Sequence, residues 1–291
     1  MIKKLLAPNL SSKNLTRKLF LVVFLLVSLM VHAHGDLTIR IEQKTEEISK
    51  KPNDFTLYFE RGFLYQQHNE YDHALKDYLK SEALGNKDKV LFFRKAEAYY
   101  LNEELDNGML AINDYLAIDS IDVKAKKLQA QLLFSLNKYD EALLAYTFVF
   151  DNMLDIRPED IIEYCDIILS VNNKNYNGAI NAIDLALNKL GEDTFSLQLK
   201  KLDYLIASNQ AENTINQFNY FIEKFNRKEF WYYKKAQFLY DVEMHAEATI
   251  ALQQAATAIS QLNLKFQSMK SVKELEKQIA QLEEKLNLQK S

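Results

Sequence analysis

Few residues in this chain have both the type and the spacing to do chemistry. Cys165 is the single cysteine, so an intramolecular disulfide is impossible even in an oxidising compartment. It stands in the apolar stretch IIEYCDIIL, where a small, buried and inert thiol is expected rather than a nucleophile. His68 and His73 flank NEYD, and a spacing of five does not bring two side chains onto one helical face. They read as solvated turn residues, not metal ligands, and His245 stands alone and reads as superficial. Pro158, Glu159 and Asp160 form a helix-start signal, with proline in the first turn and carboxylates at the positive end of the helix dipole. No Ser, His and Asp set, HExxH, GxGxxG or GxxxxGK occurs, so the sequence assigns no catalytic residue, no metal and no cofactor, and the expected protein is not an enzyme.

The elements available to position side chains are helices. Six glycines and three prolines in 291 residues compare with roughly 35 at average usage. Sheet proteins draw on both residues at frequent turns, so sandwiches, barrels and propellers are excluded. With 48% hydrophobic and 26% charged residues, the chain has material for a core and is not disordered in composition. The expectation is a folded, all-α protein.

Residues 1–33 differ from the rest. Lys3, Lys4, Lys13, Arg17 and Lys18 precede the apolar run LFLVVFLLVSLMV, which ends at Val31-His32-Ala33. Thirteen helical residues span about 20 Å, short of a hydrocarbon core of roughly 30 Å. This layout is that of a secretory signal peptide cleaved after Ala33, with an uncleaved anchor as the alternative. No cysteine lies near that point, which closes the lipoprotein route. Export places the protein in a periplasm, of a Gram-negative cell, or outside the cell, not integral to the membrane once cleaved. Cleavage would also make His34 the amino terminus, pairing imidazole and amine nitrogens in a way that can hold copper. The remainder carries 31 basic and 40 acidic residues, net −9, which disfavours nucleic acid as a partner.

A period of 34 residues runs through the chain. Gly62, Ala96 and Ala130 are 34 apart, as are Ala74, Gly108 and Ala142, and Tyr78, Ile112 and Tyr146. YDHALKDY and YDEALLAY nearly superimpose. Small residues let two helices approach, large ones at three- and four-residue spacing fill between pairs, and such hairpins must stack to bury their faces.

These residues resemble the tetratricopeptide repeat family. The resemblance rests on units 55–88, 89–122 and 123 to about 156, and extends to a unit near 158–191 (Ala179, Ile183, Ala186), one near 194–227 (Leu202, Leu205, Phe218, Phe221) and one at 229–262 (Ala236, Leu239, Ala248, Leu252, Ala255). It implies a right-handed α-solenoid of about six repeats over 55–262. The family often closes each unit with proline, where this chain has Asn86 and Ser120. Residues 34–54 are expected as an N-terminal helix or cap, with Ile39, Ile41 and Ile48 on its apolar side. Residues 263–291 are expected to hold a C-terminal helix in which Val272, Leu275, Ile279, Leu282 and Leu286 make a short heptad seam. That seam either docks on the solenoid or pairs with a second copy as a coiled coil.

In the family the first helix of each pair lines the concave face. Carried over, partner-binding falls to Phe59, Phe63, Phe93, Glu97, Tyr100, Lys127, Gln131, Phe134, Tyr233 and Tyr240. Exposed aromatics give large contact area at low entropy cost. The alternative is that these rings fill the groove or belong to the core. Members that clamp a chaperone's terminal carboxylate place lysine and asparagine where this chain has Phe59 and Phe63, so that clamp is absent. The resemblance implies an exported, non-enzymatic scaffold that binds a protein or peptide. Its rivals are copper handling at His34 and an architectural homodimer through Val272–Leu286.

Overall fold

The computed structural model describes residues 36–288. The signal segment 1–33 and His34 therefore lie outside the described residues. Contacts divide the chain into two compact units, Met1–Asn152 and Met153–Ser291.

The first unit begins with α1, residues 36–50. Three helical hairpins follow: α2 (Phe55–Gln67) with α3 (Tyr71–Ala83), α4 (Lys89–Leu101) with α5 (Leu105–Ile118), and α6 (Val123–Ser135) with α7 (Tyr139–Asn152). Each first helix opens on an aspartate. The carboxylates of Asp54, Asp88 and Asp122 accept hydrogen bonds from the backbone N–H groups of Thr56, Val90 and Ala125, each satisfying an orphan donor of a first turn. Each hairpin bends through one left-handed residue, Asn69, Glu103 or Asn137, at φ 63°, 60° and 60°. The unit ends differ from the family's proline pattern. Asn86 is buried, donates to Ser81 Oγ at 3.0 Å and accepts from Asp88 N at 3.0 Å. A side-chain amide thus shapes the turn where proline is usual.

Small residues sit at the helix crossings. Ala74, Ala96, Ala130 and Ala142 are fully buried, with Tyr78, Ile112 and Tyr146 filling the space between helices. Helix α1 buries Ile41 and Ile48, while Ile39 is exposed, contrary to its expected place on the apolar side. Lys44 on α1 pairs with Glu60 on α2 at 2.7 Å. Arg61 grips Asp77 through two hydrogen bonds of 2.7 and 2.8 Å and also donates to Thr45 Oγ1, joining α1, α2 and α3.

The second unit holds α8 (Pro158–Val171) with α9 (Tyr176–Leu190), α10 (Phe195–Ala207) with α11 (Ala211–Lys224), and α12 (Lys228–Asp241) with α13 (His245–Ser260). The short α14 (Leu264–Gln267) and the long α15 (Lys270–Leu288) complete it. Asp160 Oδ2 accepts from Arg157 N at 2.8 Å, so the Pro-Glu-Asp run starts α8 as its composition implies. Gly191 caps α9 at φ 104°, a conformation that a side chain would strain. The α8–α9 turn, 172–175, is one residue longer than its counterparts and has no left-handed residue. Lys201 on α10 reaches Asp184 on α9 at 2.6 Å, and Lys235 on α12 reaches Asn219 on α11 at 2.7 Å, tying each hairpin to the one before it.

The heptad seam is committed inside the chain. Val272, Leu275, Ile279, Leu282 and Leu286 of α15 are buried in one cluster with Leu239 of α12 and Leu252, Ala255 and Ile259 of α13. Of the two expected roles, the seam takes the docked one in this chain.

Candidate functional site

The surface of the first helices in unit one carries eight of the ten expected binding residues. Phe59 and Phe63 lie on α2, Phe93, Glu97 and Tyr100 on α4, and Lys127, Gln131 and Phe134 on α6, and all eight are half-buried. Three rings lean inward onto tyrosines of the second helices. Phe59 packs on Tyr78 at 5.8 Å between centroids, Phe93 on Tyr115 at 5.5 Å and Phe134 on Tyr139 at 5.7 Å. Each such ring is thus partly committed to the hairpin packing and partly exposed. Tyr233 and Tyr240 belong to unit two, where both pack against the α12–α13–α15 cluster. Burial raises the Tyr233 hydroxyl above its ordinary pKa, which keeps it a neutral donor.

A connected polar ribbon runs across α2, α3 and α4. Tyr78 Oη donates to Gln66 Oε1 at 2.7 Å, and Gln66 Nε2 donates to Glu97 Oε2 at 3.3 Å. Arg94 Nη1 donates to the same oxygen at 2.7 Å, and its guanidinium lies over the Phe63 ring, 4.7 Å from the centroid. Burial pushes the Tyr78 hydroxyl well above its usual range, so it acts as a donor at any physiological pH. Glu97 thus holds two donors in place, and Phe63 is roofed by a cation that a ligand can meet or displace. Beside the ribbon, a cleft of about 370 Å³ is lined by Arg40, Gln43 and Lys44 of α1 and by Phe59, Glu60 and Phe63 of α2. Its chemistry is an aromatic floor with a mixed, mainly basic rim.

Arg94 and α1's basic residues are functional candidates that the repeat pattern did not single out. The Arg94–Glu97 pair, three residues apart on a helix, is the local signal that marks Arg94. His73 is exposed and His68 half-buried, and both have a carboxylate neighbour. His68 Nδ1 and His73 Nδ1 lie 2.6 and 3.1 Å from the two oxygens of Glu70, and His73 stacks on Tyr65 at 5.1 Å. His245 is half-buried rather than superficial, its ring 5.6 Å from Tyr240. Cys165 is fully buried, and burial pushes its thiol up to about 12. Among the described residues no group of His, Cys, Asp and Glu is arranged to hold a metal ion, and no helix is long and apolar enough to cross a membrane.

No protein-family model matches the chain, and no curated protein matches it. Solved structures do. The C-terminal part of a tetratricopeptide repeat-containing protein from Cytophaga hutchinsonii aligns over 81% of this chain and 95% of its own, with a TM-score of 0.60 and 14% identity. A tetratricopeptide repeat protein from Parabacteroides merdae aligns over 84% of this chain and 93% of its own, with a TM-score of 0.52 and 14% identity. A chain of the Naa15/Naa10 complex bound to HypK-THB aligns over 87% of this chain and 40% of its own, with a TM-score of 0.53 and 12% identity. At such identities the likeness is one of fold, and the fold is the tetratricopeptide-repeat solenoid of stacked helical hairpins.

Proposed function

We propose that this chain is a non-enzymatic binding scaffold of the cell envelope that holds a peptide or protein partner on the first-helix surface of unit one. The observation that carries this reading is the Phe63–Arg94–Glu97–Gln66 arrangement beside the α1–α2 cleft. There an aromatic ring, a guanidinium and an amide are held in register by one carboxylate. Preorganised aromatic and arginine anchors are the residue types that dominate protein interfaces. The fold itself is generic to many functions. One chain with the same fold belongs to a complex bound to HypK-THB, and that kinship of use is consistent with a scaffold here.

Lys44 and Arg94 are engaged by Glu60 and Glu97, which leaves the exposed Arg40 on the rim to favour a partner segment with an acidic group next to an apolar or aromatic side chain. The apolar residue meets Phe59 and Phe63, and the acid meets Arg40. The signal-like layout of residues 1–33 supports an envelope location for that partner.

Affinity capture from an envelope fraction, comparing the wild type with a Phe63→Ala, Arg94→Ala variant, tests the reading. The expected result is loss of the captured partner with an unchanged helical circular dichroism spectrum. Capture of the same partner at equal yield by the folded variant would overturn it. Phe59 and Phe93 are unsuitable for this purpose, because their rings pack on Tyr78 and Tyr115 and a serine there removes packing as well as contact.

A further inference from the structure

Unit two contains a cleft that the first-helix reading does not use. It has a volume of about 550 Å³ and lies between α9 and α11 over a floor provided by α10. Asn177, Asn181 and Asp184 line it from α9, and Asn213, Asn216 and Gln217 from α11. Ile180 and Leu205 supply apolar floor. A second hollow shares Asn177 and Gln210 with it and adds Asn173, Lys174, Tyr176 and Asn209.

The carboxamides break the repeat. Asn181 and Asn216 each follow by two residues the buried small position of their second helix, Ala179 and Thr214. At that same place the second, third and sixth hairpins carry Leu110, Leu144 and Ile250, all exposed. The first hairpin carries Lys76 there, and only the fourth and fifth, which face one another across the cleft, carry asparagine.

Several of these groups are preset and several are open. Gln210 Nε2 donates to Asn177 Oδ1 at 2.9 Å, and Asn213 Nδ2 donates to Gln210 Oε1 at 2.9 Å. Gln217 is buried and held by Gln198. Among the described residues, Asn177 Nδ2, Asn213 Oδ1 and both amide atoms of Asn181 and Asn216 have no hydrogen-bond partner, and all four side chains are exposed. The Lys201–Asp184 ion pair, 2.6 Å long, closes the floor and cancels its own charge.

We infer that this cleft is a binding site for the main chain of an extended peptide, with little dependence on its side chains. A carboxamide presents one acceptor and two donors, the complement of a peptide group. Residues four apart on a helix, such as Asn177 and Asn181, rise about 6 Å. Two residues of an extended strand rise roughly 6.5 Å, the repeat at which its carbonyl and N–H groups recur on one side. The match holds for about one strand repeat along α9 before the two periods drift apart, with Asn213 and Asn216 on the facing wall, so the site suits a segment of three or four residues. An anionic polymer gains nothing from a floor whose one lysine is already paired. No aromatic ring lines the central cleft, so a sugar lacks a stacking surface there.

The test uses the full chain, ¹⁵N-labelled, and follows the side-chain amide resonances of Asn181 and Asn216, assigned by their loss in Asn181→Leu and Asn216→Leu. The probe is the uncharged hexapeptide acetyl-Thr-Ser-Thr-Ser-Thr-Ser-amide at millimolar concentration. The expected result is a saturable shift of both resonances that N-methylation of alternate peptide nitrogens weakens at least tenfold. The Asn181→Leu, Asn216→Leu double variant, monitored at Asn177 and Asn213, weakens it equally; leucine is what the second and third hairpins carry at this place. Absence of any shift, equal binding of the N-methylated probe, or a shift produced by chitotetraose and not by the peptide would each overturn the inference. Since the comparison of the two probes is made on the wild type, it decides the matter even if the variant fails to fold. Loss of partner capture by the Phe63, Arg94 variant bears only on the site in unit one.

Discussion

Gly62 and Tyr78 are in such close contact that a β-carbon on residue 62 would lie 2.8 Å from Tyr78 Cε1 and 3.1 Å from the Ala74 carbonyl oxygen. Tyr78 cannot retreat, because it is fully buried and its hydroxyl is bound to Gln66. Gly62→Ala would gain about 1 kcal/mol of helix propensity, yet the overpacking it forces typically costs about 1–3 kcal/mol. The expected outcome is a net loss in urea denaturation, accompanied by disturbance of the Gln66–Glu97 ribbon. The equivalent Gly108→Ala meets the end of the Leu132 side chain at 2.8 Å, which can move, and should cost less. Equal or greater stability of Gly62→Ala would show that the contact relaxes freely.

Glu103 is the residue to change for stability. It holds φ 60° at the place where Asn69 and Asn137 hold φ 63° and 60°, and its side chain is exposed. Left-handed backbone suits asparagine better than glutamate. Glu103→Asn should raise stability by about 0.5 kcal/mol and Glu103→Gly by a similar amount. A thermal scan that shows either variant melting below the wild type would contradict this.

The α15 seam gives opposite outcomes for its two expected roles. Leu275 is buried against α13 and α12 in the same chain. Leu275→Asp should lower the denaturation midpoint, because burying a carboxylate in that cluster costs several kcal/mol, of which about 3 are felt before the helix detaches. Sedimentation of the wild type should show no concentration-dependent association through this helix. A variant that keeps full stability and loses only self-association would restore the dimer.

Cys165 provides a pH-dependent reporter. The folded thiol titrates near about 12, whereas an exposed thiol does so at roughly 8.5. A raised folded value means that this group's contribution to stability is complete below the unfolded pKa. It is lost as pH climbs from there toward the folded one. At pH 9 iodoacetamide should therefore label the protein only as fast as it opens, and in step with urea-induced unfolding. Rapid labelling of the native protein would show that the thiol is accessible.

Much of this architecture is written locally. The spacing of Gly62, Ala96 and Ala130 survives as a period because each small residue serves a crossing within its own hairpin. Asp54, Asp88 and Asp122 carry a 34-residue signal of their own, in caps that involve only the next three residues. Pro158 and Asp160 act within a single helix turn, which is why their role could be read directly. Periodicity also marked which helix faces are apolar, including the seam of α15.

What covers each face was decided only in three dimensions. The heptads of α15 are equally suited to a second copy and to α13, and proximity within one chain settles it, since the local concentration of α13 is set by a short connection. The rings of Phe59 and Phe93 became half core because α3 and α5 present tyrosines beneath them. Arg94 meets Phe63, and Asn181 lines one cleft with Asn216, across separations of 31 and 35 residues. No local pattern encodes those distances, because they depend on how one hairpin rotates on the next. The sequence by itself determined the helices, their caps and their buried faces, through forces that act within a few turns. The tertiary structure alone decided which side chains from successive hairpins share one surface, because that follows from packing between elements far apart in the chain.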